Sequence, residues 1–246
     1  TTAKAKGVML SHGNLVANIA QAEAVIATGL QHESEIIITA LPLYHIFSLM
    51  ANCCLFFKLG GENILIPNAR DIGSLIRVMK KTPFTAFTGV NTLFHALLDH
   101  RGFRQCSFKE LTITVGGGMA VQEAVAKRWQ KVTGCVLTQA YGMTEASPAI
   151  AMNSVQAKTY SLSVGQAVPG TEISIRNDRG VVLAPGKSGE VWVKGPQVML
   201  GYWQQVEESK KALAHGYLHT GDVGYLDSEN AFVLVDRMKD LIIVSG

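Results

Sequence analysis

Apolar and polar positions recur along the chain with two different periods. From residue 14 to about residue 142, segments with helical spacing alternate with short β-branched runs. The stretch 14–26 carries Leu15, Ile19, Ala22 and Ile26 at helical spacing, with Ser11 or Asn14 fitting the cap. Residues 35–42 form a β-branched run ended by Pro42, and a strongly apolar segment from Ile46 to Phe57 predicts a buried helix stopped by Gly60 and Gly61. A strand over 63–67, a helix over 72–81 capped by Asp71, a strand over 84–89 and a helix starting at Asn91 follow. Then come a strand over 111–118 that runs into three glycines, an amphipathic helix through Val121, Val125, Trp129 and Val132, and a strand over 135–142. This alternation predicts an α/β fold: a mostly parallel sheet flanked by helices.

Beyond about residue 160 the period shortens to two. Residues 171–183 predict two short strands joined by an Asn-Asp-Arg-Gly turn, and 189–195 and 231–237 alternate apolar with polar positions between prolines and glycines. A small antiparallel, distorted barrel-like β subdomain is expected there. The predicted organisation is 1–160 for the α/β part, 161–235 for the β-rich subdomain, and 236–246 as a connection onward.

Composition narrows the function classes. The chain is 48% hydrophobic and 17% charged, with a net charge of +3, so it is globular and offers no basic tract for nucleic acid. Its four cysteines, Cys53, Cys54, Cys106 and Cys135, show no metal-binding spacing and read as reduced thiols of a cytoplasmic protein. The apolar run at 46–57 is too short to span a bilayer.

Candidate chemistry lies where strands end, the place at which open α/β sheets bind ligands. Gly116, Gly117 and Gly118 let backbone approach a flat or charged group, or form a plain tight turn. In Gln139–Pro148, Tyr141 offers a stacking surface, Thr144 a donor to phosphate and Glu145 a hard oxygen ligand of the kind Mg²⁺ takes. The residues alone leave open an ordinary buried tyrosine and a solvated glutamate.

The order of motifs goes further. Tyr-Gly-Met-Thr-Glu at 141–145 resembles a core motif of the adenylate-forming superfamily of acyl-CoA synthetases, luciferases and peptide-synthetase adenylation domains. The Lys6-Gly7 ending of 1–7, the Leu-Pro-Leu-Tyr-His-Ile-Phe segment 41–47, the Gly189-to-Tyr202 motif, Tyr217 to Asp222, and the Asp236-to-Asp240 hinge follow the family's order. Segments 41–49, 89–98, 115–122 and 195–203 resemble bacterial long-chain fatty-acyl-CoA synthetases most.

The resemblance implies the truncated N-terminal domain of such an enzyme. It would join a fatty acid to AMP from MgATP, release pyrophosphate and pass the acyl group to coenzyme A. Tyr141 would stack on adenine, with Gly118, Met119 and Ala120 on its other side. Gln139, Ala140 and Gly142 would contact the nucleotide. Thr144 would bind the α-phosphate, Glu145 would hold Mg²⁺, and Asp222 and Arg237 would bond the ribose hydroxyls. Thr1, Thr2 and Lys6 would approach the β- and γ-phosphates. His45 would gate the acyl or pantetheine passage, and Phe87, Gly89, Val90 and Thr92 would line the acyl channel, with core packing as the competing role. His12 and Trp129 are expected to be structural.

Ala3 stands where relatives carry glycine, which sets phosphate binding by the first loop at odds with the family pattern. The chain is expected to be an internal piece, keeping part of an AMP pocket with little or no ligase activity of its own. The alternatives are an acyl-adenylate former that delivers to a carrier protein, and a non-catalytic nucleotide- or lipid-binding module. A P-loop NTPase is excluded by the missing Walker motif. Long acyl substrates also suggest peripheral contact with the inner membrane face, although no amphipathic anchor is visible.

Overall fold

The computed structural model describes residues 5–30 and 35–237. Thr1, Thr2 and the hinge with Asp240 lie outside the described residues. The chain builds β1 (Val8–Met9), α1 (His12–Ile26), β2 (Ile36–Thr39), α2 (Ile46–Ser48), α3 (Leu55–Lys58), β3 (Glu62–Leu65), α4 (Ile72–Met79), β4 (Ala86–Gly89) and α5 (Asn91–Asp99). It continues with β5 (Ile113–Gly116), α6 (Glu123–Thr133), β6 (Leu137–Gly142), β7 (Ala149–Met152), β8 (Gln166–Ala167), β9 (Glu172–Arg176), β10 (Gly189–Lys194), β11 (Gly201–Tyr202), α7 (Val206–Ala212), β12 (Leu218–Leu226) and β13 (Phe232–Arg237).

Seven strands form the main sheet in the order β3-β2-β4-β5-β6-β7-β8. The pairs from β3 to β6 are parallel, whereas β7 and β8 add antiparallel. The sequence pattern ends the series at β6. The return strand was hidden because Ala149–Met152 follows directly on a loop whose residues read as ligand chemistry. The main sheet thus extends past residue 160, through Gln166–Ala167. A second, antiparallel sheet has the order β13-β12-β10-β9. Its expected second strand after the Asn-Asp-Arg-Gly turn is reduced to one bridge, Arg176 to Val182, because Asn177 Oδ1 accepts from the backbone N–H groups of Arg179 and Val181 and closes the turn on itself.

Trp129 is fully buried under the sheet, stacked on Phe87 at 5.8 Å and edge-on to Phe94 at 4.9 Å. Ser11 and Asn14 both serve the cap of α1: Ser11 Oγ accepts from the Asn14 N–H, and Asn14 Oδ1 accepts from the Ser11 N–H. Asp71 caps α4 through the Ser74 N–H. The apolar segment at 46–57 is not one regular helix. Leu49–Cys54 form a π-helical stretch between α2 and α3. Asn52, fully buried there, accepts from Thr88 and donates to Thr39, and its carbonyl accepts from Asn63 Nδ2, so the widened turn satisfies a polar side chain inside the core. Phe57, on the outer side, is exposed. Among the described residues, no helix is long and apolar enough to cross a membrane.

α1 buries more than its apolar spacing suggests. Ile26 of the apolar stripe is buried and Leu15, Ile19 and Ala22 are partly covered, and Asn14, Asn18 and Gln21 beside them are buried as well. Asn14 Nδ2 donates to the carbonyls of Pro196 and Val198, and Gln21 Nε2 to that of Pro169. The polar stripe therefore fastens the helix to the backbone of the β-rich region.

Candidate active site

A cavity of about 410 Å³ opens at the carboxyl ends of β5 and β6. Ala140, Tyr141, Gly142, Met143, Thr144 and Glu145 line one wall, and Gly117 and Gly118 another. Thr220, Gly221 and Asp222 on β12 close it from the second sheet. Tyr141 lies at the end of β6, tilted against Phe232 at 5.0 Å. Its hydroxyl donates to Asp222 Oδ2 at 2.6 Å. The backbone N–H of Asp222 donates to Thr220 Oγ1. The buried carboxylate is thus met by a phenol from the other sheet, while Thr220 holds the backbone that carries it.

The loop after β6 is held tightly. Thr144–Ala146 make a 3₁₀ turn, and Ser147 follows with φ 64°, its hydroxyl donating to the Gln197 carbonyl. A Cβ on Gly142 would lie 2.1 Å from the Pro148 carbonyl oxygen, so the strand can meet the returning backbone only without a side chain. Asn18 reaches from α1 to accept from the Ala149 N–H and donate to the Ala149 carbonyl, both at 2.9 Å. Glu145 receives the Tyr202 hydroxyl on Oε1 at 2.8 Å, and its backbone carbonyl accepts from the Met199 N–H at 2.8 Å.

The far arm of the cavity is apolar. Ile19, Ala22 and Ile26 of α1 face Met50, Leu55 and Phe56 across it, with Ile37, Ile113 and Val115 of the sheet beneath. The partly covered stripe of α1 therefore lines this space. His45 and Phe47 stand at the wall, with His45 Nδ1 accepting from the Phe47 N–H.

Several residues with sequence-based roles sit elsewhere. Gln139 is committed to packing: Oε1 accepts from the Val121 N–H, and Nε2 donates to the Ser161 carbonyl. Met119 and Ala120 are exposed and do not line the cavity. Gly89 and Val90 are also outside it. A Cβ at Gly89 would lie 2.9 Å from the Phe94 ring, and Val90 packs on the core around that ring. Thr92 is outside it as well, whereas Phe87 lines it. Lys6 pairs with Glu208 and lies over the Tyr202 ring, away from the lining. Arg237 is paired by backbone with Asp222, but its side chain is outside the described residues. Asn18 and Tyr202 were not singled out from the sequence. The spacing of Asn14, Asn18 and Gln21 is itself helical, which is the signal that was available for Asn18.

A family model described as AMP-binding enzyme matches residues 1–203. The chain belongs to the AMP-binding enzyme family. An Escherichia coli O6:H1 long-chain-fatty-acid–CoA ligase is 49% identical over all 246 residues, and the chain spans 44% of that protein's length. ATP-bound MatB from Rhodopseudomonas palustris superposes with a TM-score of 0.89 at 28% identity, covering 98% of this chain and 47% of that one. O-succinylbenzoate coenzyme A synthetase from Bacillus subtilis, in complex with ATP and magnesium ion, gives 0.85 at 28% identity, covering all of this chain and 50% of the other. For an AMP-binding enzyme, a cavity joining a polar end at Tyr141, Thr144 and Asp222 to an apolar arm is the feature that matters.

The donor set also fits a magnesium ion brought in with a nucleotide. Among the described residues, no three His, Cys, Asp or Glu side chains converge as a metal cage. Glu145 and Asp222 are the two carboxylates lining the cavity, and Mg²⁺ is commonly held by one or two carboxylates together with substrate phosphates.

Proposed function

We propose that the chain forms the nucleotide- and acyl-binding part of a long-chain fatty-acid–CoA ligase. The observation that carries this reading is the continuity of one cavity from Asp222 and Glu145 to the apolar arm between α1 and α3. A nucleotide at the polar end and an alkyl chain in the arm would meet near Thr144. The name shared by relatives such as the E. coli protein supports the substrate class.

Asp222 would accept hydrogen bonds from the ribose hydroxyls, as a fixed carboxylate can. Tyr141 would lie along the base, and the backbone of Gly118 and Ala140 would border it. Thr144 would donate to the α-phosphate oxygen that gains charge as the fatty-acid carboxylate attacks phosphorus. Glu145 would hold Mg²⁺, whose charge, when bound, offsets repulsion between the two anions. Pyrophosphate leaves as the acyl-adenylate forms, and no enzyme nucleophile is required. The thiol of coenzyme A would then displace AMP, with His45 and Phe47 at the passage wall. Lys6 would have to leave Glu208 to reach phosphate; that exposed pair is weak.

The test is fatty-acid-dependent ATP–pyrophosphate exchange by the full-length protein, followed by thioester formation with free coenzyme A. Exchange and thioester are both expected. No exchange with any fatty acid would overturn the reading, and exchange without thioester would move it to a carrier-protein acceptor. The 246-residue chain alone is expected to bind AMP with little exchange.

A further inference from the structure

The Gly189-to-Tyr202 motif has no part in the chemistry above, yet its last residue touches the site. Tyr202 ends the motif on β11, which pairs with β1. Its backbone is pinned: the Tyr202 N–H donates to Ser209 Oγ on α7 at 2.8 Å. Gly201 precedes it with φ 139°, and a Cβ there would lie 3.0 Å from the same Ser209 oxygen. The motif thus needs glycine before tyrosine so that α7 can close against this corner.

So anchored, the Tyr202 phenol reaches Glu145 Oε1 at 2.8 Å. Three residues earlier, the Met199 N–H holds the Glu145 carbonyl. One segment grips the same glutamate at backbone and side chain. The phenol has one hydrogen to give and the carboxylate only accepts, so the bond runs from Tyr202 to Glu145. Lys6 lies 4.9 Å from the ring centroid and is held to Glu208 of α7, covering the other side of the phenol.

We propose that Tyr202 is a positioning residue for the metal-bearing carboxylate: its hydroxyl occupies Glu145 Oε1 and turns Oε2 toward the nucleotide phosphates. This rests on the assignment of Glu145 as the metal ligand. A donor behind a ligating carboxylate fixes its orientation, and losing such a partner typically costs about 10–100-fold in metal affinity. The phenol removes one oxygen from competition and leaves a single oxygen for the ion.

The experiment measures Mn²⁺ affinity by electron paramagnetic resonance in the presence of ATP, and AMP affinity by calorimetry without metal. Full-length wild type, Tyr202→Phe and Glu145→Gln are compared. Tyr202→Phe keeps the ring under Lys6 and removes only the hydroxyl. It is expected to weaken Mn²⁺ binding at least about tenfold while AMP affinity stays within about twofold. If Tyr202→Phe leaves Mn²⁺ affinity unchanged while Glu145→Gln lowers it, the positioning role is overturned and the ligand assignment stands. If Glu145→Gln leaves it unchanged too, the ligand assignment itself fails. A parallel fall in AMP affinity for Tyr202→Phe would show a general structural role and also overturn the proposal.

Discussion

Tyr141 and Asp222, 81 residues apart, are joined by a 2.6 Å hydrogen bond that ties the main sheet to the second sheet inside one cavity. On the proposed reading, a mononucleotide in this cavity would touch both. Asp222→Ala removes the acceptor and leaves the phenol behind. AMP affinity should fall by on the order of tenfold or more, since a hydrogen bond to a charged group is worth roughly 1.5–3 kcal/mol. Calorimetric titration of AMP checks this, and unchanged affinity would remove Asp222 from the nucleotide site.

The apolar arm makes a separate prediction. Ala22 lines it from α1, and Ala22→Phe places a ring where an alkyl chain would run. In the full-length protein, kcat/KM for long-chain substrates should drop by on the order of tenfold or more relative to short ones, with ATP affinity retained. Equal losses for short and long acids would place the acyl chain elsewhere.

Asn18 tests the link between α1 and the loop after β6. Asn18→Ala removes the acceptor of the Ala149 N–H and leaves the Ala149 carbonyl only the longer bond from Gln197 Nε2 at 3.4 Å. Such an unsatisfied group costs roughly 1–3 kcal/mol, readable as a lower midpoint in urea unfolding. A midpoint equal to wild type would show that water replaces the clamp.

The cap of α4 gives a pH signature. Hydrogen bonds from the Ser74 side chain and backbone hold the Asp71 carboxyl below its ordinary value of 3.8. A depressed carboxyl stabilises above that value and loses its contribution as pH falls through the lowered one. Carbon-13 titration of Asp71 should therefore show a midpoint under 3.8. A midpoint at or above it would mean that the cap is open in solution.

The sequence by itself determined the alternation of helices and strands through β6, the caps at Ser11 and Asp71, the burial of Trp129 and the motif order that marks the family. These follow from periods and short-range hydrogen bonds, which act between residues close in the chain. Tertiary structure alone decided that the apolar stripe of α1 lines a cavity while Asn14, Asn18 and Gln21 are buried, because a helix face is polar or apolar according to what packs on it. It also withdrew Gln139 and Gly89 into packing, turned one helix into a π-helical stretch around Asn52, and set Tyr202 against Glu145. Each of those outcomes depends on a partner dozens of residues away in the chain, and no local period encodes which long-range partner a polar side chain will meet.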